Sequence, residues 1–96
     1  MNISFNQLTP AQAERLALLM EEMAEAQQAI GKILRHGYES HHPNGGPSNR
    51  QSLERELGDV VCAIDLLSFH EDLDPESIVE CAKSKAERVV VYLHHQ

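Results

Sequence analysis

The sequence predicts an all-α fold of three main helices packed antiparallel, and three observations carry that expectation. Apolar residues recur at helical spacing in three separate segments. Two of those segments open on a proline that directly follows a capping residue. One stretch crowded with Gly, Pro and Asn divides the first segment from the second.

The first helix starts in LTPAQ, where Thr9 caps, Pro10 takes the first helical position and Gln12 completes a capping-box spacing. Its apolar rhythm runs to about Leu34, and Gly37 ends it. HGYESHHPNGGPSN, residues 36–49, reads as a loop because its glycines, prolines and asparagines disfavour both helix and strand. A second helix follows from about Arg50 to His70. DLDPES repeats the starting signal, with Asp74 as cap and Pro75 in first position, so a third helix is expected from about Pro75 to Leu93. VVVY at 89–92 has the composition of a strand. IVECAKSKAERV before it keeps helical spacing, however, and the chain offers no partner strand.

Length and charge narrow the class of protein. Ninety-six residues with 42% hydrophobic composition make one domain over residues 1–96 and only a thin core, so self-association is expected. A formal net charge of −7 without a basic patch argues against nucleic acid as partner. Cys62 and Cys81 lie in apolar-periodic segments with no leader-like or membrane-length apolar run before them, and read as reduced core residues of a cytoplasmic protein.

Wound at about 100° per residue, the first helix has a main apolar stripe of Leu16, Leu19, Met20, Met23, Ile30 and Leu34. A second stripe aligns Leu18, Glu22, Glu25 and Ala29. On the second helix Leu53, Leu57, Val60, Ile64 and Leu67 form the expected core stripe, and Glu56, Asp59, Ala63 and Leu66 run along its edge. Residues three apart on a helix are neighbours, so each acid pair can aim its oxygens at one place. Four carboxylates gathered there repel one another, and a divalent cation is the economical remedy. All-oxygen ligation selects a hard ion such as Mg2+, with Mn2+ as a substitute. Acids on a solvated helix face are the plainer explanation of either pair taken alone.

EEMAE (21–25), followed after a loop by ELGDV (56–60), resembles the Glu-Glu-x-x-Glu and Glu-x-x-Asp signature of the MazG-like, all-α nucleoside triphosphate pyrophosphohydrolases. The LRHG turn and the order of elements are also similar, and the likeness spans roughly residues 16–90. The resemblance implies a four-helix-bundle core completed by homo-oligomerisation. It also implies magnesium-dependent cleavage of a nucleoside triphosphate to a monophosphate and pyrophosphate. Glu22, Glu25, Glu56 and Asp59 match the family's metal ligands, and Glu21 matches its leading acid, with a supporting catalytic role. No Ser, Cys or His nucleophile is needed, because a metal ion activates water and offsets charge on phosphate.

A triphosphate also needs cations. Lys85 falls within the third helix's stripe of Ile78, Ala82, Val89 and Leu93, with Arg88 at its edge, and the resemblance makes both phosphate contacts. A lysine laying its stem on apolar surface is the plainer reading of Lys85. Lys32 and Arg35 are further substrate-binding candidates, although cations there also suit the helix dipole. His41 and His42 in the loop, and His94 and His95 at the end, have no third ligand at a familiar zinc spacing. The loop histidines could instead close over the substrate's base. A di-iron bundle calls for Glu-x-x-His, which neither acid pair supplies. A non-catalytic helical dimerisation module is the alternative to an enzyme.

Overall fold

The computed structural model describes residues 5–96. Helix α1 (Pro10–His36) carries the expected capping box: Gln12 N–H donates to Thr9 Oγ1 at 3.1 Å and Thr9 N–H donates to Gln12 Oε1 at 2.9 Å. Helix α2 (Asn49–Phe69) begins on the same device, with Ser48 and Gln51 exchanging bonds of 3.2 and 2.9 Å. Helix α3 (Pro75–Val89) opens on Asp74, whose Oδ1 accepts from Glu76 N–H at 3.0 Å. It stops short of Leu93, because the β-branched run Val89-Val90-Val91 tightens into a single 3₁₀ turn over Val90–Tyr92. The described residues form no strand; the sole β-type pairing is an isolated bridge between His41 and Ser48.

α1 and α2 make an antiparallel hairpin, so the start of one lies against the end of the other. Arg15 near the start of α1 grips Asp72 just beyond α2, with Nε to Oδ2 at 2.6 Å and Nη2 to Oδ1 at 3.0 Å. That pairing holds the Asp72 carboxyl below its ordinary range, through the Arg15 hydrogen bonds first. The seam is made of small residues. Ala26 and Ala29 are buried on α1, and on α2 Ala63 is 1% exposed and Leu67 0%.

This corrects the expected stripes. Leu16, Met20, Met23, Ile30 and Leu34 on α1 and Leu57 on α2 are exposed in the single chain, and the stripe carrying Glu22, Glu25 and Ala29 is the one turned toward α2. Cys62 and Cys81 are likewise exposed free thiols rather than core residues. α3 has no buried residue and packs appreciably only on its own 3₁₀ turn. The Cα radius of gyration of 17.1 Å accordingly exceeds the roughly 12–13 Å of a compact chain this long.

The loop between α1 and α2 is clasped at its base. Asn49 N–H donates to Ser40 O and Arg50 N–H to Tyr38 O, both at 2.8 Å, and Asn49 Nδ2 donates to Gly37 O at 3.1 Å. The Arg50 guanidinium lies over the Tyr38 ring, 4.3 Å from its centroid, and pairs with Glu39 at 2.7 Å. The chain enters this clasp through Gly37, whose φ of 88° and ψ of 167° belong to a region reserved for glycine. A Cβ there meets nothing within 4 Å, so a side chain is resisted by the backbone alone. Gly37→Ala is therefore expected to cost about 1–3 kcal/mol, read as a lower urea midpoint with helical circular dichroism retained; an unchanged midpoint would refute the strain.

Candidate metal centre

The antiparallel register sets Glu22 and Glu25, one turn apart on α1, against Asp59 and Glu56, one turn apart on α2. Each contributes a carboxylate oxygen, and the four oxygens lie within 4.8 Å of one another. Glu22, Glu25 and Glu56 are half-buried and Asp59 is exposed. Glu22 Oε2 and Glu56 Oε2 are buried with no hydrogen-bond partner. Among the described residues the one ion pair to a member of the cluster is Arg55 Nη2 at 3.8 Å from Glu56 Oε1, from an arginine that is itself mostly exposed. Such an arrangement leaves charge uncompensated and buried acceptors unused.

The electrostatics follow. The Glu22 carboxyl is held above its ordinary range by burial first, then by the charges of Asp59, Glu21 and Glu56. Glu25 is raised first by the charge of Glu22, then by a hydrogen bond with Glu56 and by burial. Glu21 stands outside the four, exposed, and adds its charge to both. A divalent ion fits this donor set. Glu22, Glu25, Glu56 and Asp59 would hold such an ion through oxygen alone, the ligand type that Mg2+ takes. Among the described residues the cluster includes no sulfur or nitrogen ligand that would favour a softer metal.

Two cavities continue from the acids along the hairpin. The nearer, about 240 Å³, is lined by Glu25, Gln28, Ala29, Lys32, Asn49, Ser52, Arg55 and Glu56. The farther, about 400 Å³, is lined by Lys32, Arg35, His36, Ser40, His41, His42, Pro43 and Asn49. Lys32 and Asn49 belong to both. Of the predicted phosphate contacts, Lys32 thus reaches the acids' cavity and Arg35 the next one. Lys85 and Arg88 line neither, being carried on the unpacked α3, where Arg88 Nε donates to Ser84 Oγ at 3.4 Å. Gln28, Asn49, Ser52 and Arg55 escaped the sequence reading. Extending each acid stripe by one turn toward the loop, from Glu25 to Gln28 and from Glu56 to Ser52, was the signal that finds them.

No known protein family, curated protein or solved structure matches the chain.

Raised carboxyl pKa values have a definite consequence for stability. A folded state that binds protons more tightly than the unfolded one loses stability as pH climbs from the ordinary glutamate value of 4.5 through the raised value, and does not regain it above. With metal chelated, Glu25→Gln should therefore melt above wild type at neutral pH, and the gap should close as pH falls below that ordinary value. A gap independent of pH, or a wild type that melts higher at neutral pH, would refute the mutual repulsion of these acids.

Proposed function

We propose that the protein is a divalent-metal-dependent pyrophosphohydrolase that cleaves a nucleoside triphosphate, ribo or deoxy, to monophosphate and pyrophosphate. The supporting observation is the set of four carboxylate oxygens within 4.8 Å, two residues of which carry a buried unpartnered oxygen, opening on cavities lined by Lys32 and Arg35. Resemblance to the MazG-like signature supports the same reading, with Glu22, Glu25, Glu56 and Asp59 as ligands of Mg2+ or Mn2+. When bound, the ion supplies an acidified water and polarisation of the attacked phosphoryl group. In hydrolysis of the α–β anhydride a water oxygen would bond to one of the two phosphorus atoms, and the bond from that phosphorus to the bridging oxygen would break. The bridging oxygen would leave with the other phosphoryl group, and the proton lost by water would pass to solvent, giving monophosphate and pyrophosphate. Among the chain's own groups, Lys32 and Arg35 offset charge on the phosphates, and Glu21 strengthens the negative field that draws the cation.

A homo-oligomer belongs to this proposal. The α1 face of Leu16, Leu19, Met20 and Met23 borders an apolar hollow of about 720 Å³, and α3 has no buried residue. Pairing of copies would bury both, and Lys85 and Arg88 would then serve the site of another copy. The same exposed faces favour the alternative of a non-catalytic dimerisation module, so the discriminating property is the response to metal. Among the described residues no helix is long and apolar enough to cross a membrane.

Pyrophosphate release across a panel of ribo- and deoxynucleoside triphosphates, with Mg2+, tests the reading. Glu25→Gln and Asp59→Asn are each expected to abolish turnover while helical content holds, and Mg2+ to raise the melting temperature of wild type beyond the effect of matched monovalent salt. Turnover that survives either substitution would sink the metal site, and a response to salt alone would favour the dimerisation module. Lys85→Met is expected to lower kcat/KM by about ten- to a hundredfold, with Lys83→Met as a near-neutral control. If Lys85 acts across the interface, mixing Lys85→Met chains with Glu56→Gln chains restores activity, because mixed oligomers contain one intact site; absence of rescue would place both groups in one chain.

A further inference from the structure

The farther cavity brings together two of the chain's eight Lys and Arg residues and three of its six histidines, in a protein of net charge −7. Lys32, Arg35 and His36 come from the last two turns of α1; His41 and His42 come from the clasped loop. We propose that this cavity is an anion subsite for a pyrophosphoryl group, holding the two outer phosphates of the substrate and then the pyrophosphate product. The placement of the cleaved bond rests on the hydrolase reading; the affinity for pyrophosphate does not.

Three features argue for a built site rather than a chance cluster of cations. The loop wall is fixed by the bonds of Asn49 and Arg50 to Ser40 and Tyr38, and the loop's only acid, Glu39, is engaged by Arg50. His42 Nδ1 accepts the Asn44 N–H at 3.1 Å, so the neutral ring carries its proton on Nε2 and is a donor there. His41 Nδ1 lies 2.8 Å from the His42 carbonyl, which only accepts, so that nitrogen donates and fixes the second ring.

The backbone does not choose the ligand. The carboxyl end of α1 and the amino end of α2 meet at this cavity, and their opposed dipoles largely cancel. The N–H groups of Asn49, Arg50, Gln51 and Ser52 are all taken, by Ser40, Tyr38 and Ser48. Side-chain chemistry therefore decides: Lys32 and Arg35 bring positive charge from α1 and the neutral His42 ring brings a donor from the loop, which suits a multiply charged ligand over a single phosphate. The size agrees: about 400 Å³ falls within the range of roughly 300–1,000 Å³ for small-molecule sites. Direction agrees as well. Lys32, shared with the acids' cavity, lies seven residues or about 10 Å along α1 from Glu25. A polyphosphate with one phosphate at the acids then runs toward Lys32 and into this cavity.

Calorimetric titration of the full chain with inorganic pyrophosphate, metal chelated, tests the subsite. Wild type is expected to bind pyrophosphate at least ten times more tightly than inorganic phosphate, Arg35→Met and His42→Gln to weaken it at least tenfold with unchanged melting temperature, and Glu56→Gln to bind as well as wild type or better. Absence of pyrophosphate binding, or equal binding by wild type and Arg35→Met, overturns the proposal. Should no nucleotide be hydrolysed, pyrophosphate binding that depends on Arg35 keeps the subsite and rejects the hydrolase. Should hydrolysis proceed with product inhibition by pyrophosphate unchanged in Arg35→Met, the subsite falls and the hydrolase stands.

Discussion

The close antiparallel approach of α1 and α2 along an alanine seam is the constraint on which the rest depends. Ala26, Ala29 and Ala63 present little more than a methyl group each, so the two backbones come near enough for carboxylates one turn away to converge. Larger side chains at those positions would hold the helices apart and spread the four oxygens. The seam contributes little apolar area of its own. Its value is geometric, and the Arg15–Asp72 grip beyond one end and the clasped loop at the other hold its register.

That geometry works against the stability of the metal-free fold. Packing pulls Glu22, Glu25, Glu56 and Asp59 together while their charges oppose it, and the raised carboxyl pKa values of Glu22 and Glu25 record the conflict. Local rules of sequence–structure agreement are broken here and kept at the starts of α1 and α2, as their complete capping boxes show. The proposed metal site rests on this concentrated violation. It also orders the hairpin's chemistry, from the acids through Lys32 to the cations at the loop end.

The unpacked α3 completes the picture from the other side. A helix with no buried residue, attached to a hairpin that exposes Leu16, Met20, Met23 and Leu34, is a surface awaiting a partner. The proposed self-association would cover this surface within one protein. Among the described residues only four apolar ones are buried, in a chain of 42% hydrophobic composition.

The sequence by itself determined the helices and where they start, because a capping box and a proline at the first position are local signals whose physics needs no tertiary partner. Thr9, Pro10, Asp74 and Pro75 were legible for that reason, and the acid pairs were legible because residues three apart on a helix are neighbours whatever surrounds them. The end of α3 at Val89 fell short of the expected Leu93. Which face is buried was not legible. Periodicity identified two stripes on α1 and ranked the more apolar one as core, yet alanine seams bury small residues and leave the large ones for another surface. The tertiary structure alone brought Arg55, Asn49 and the loop histidines into one line with the acids, because their meeting depends on the register of two helices joined by a loop, and no spacing along one chain segment encodes it.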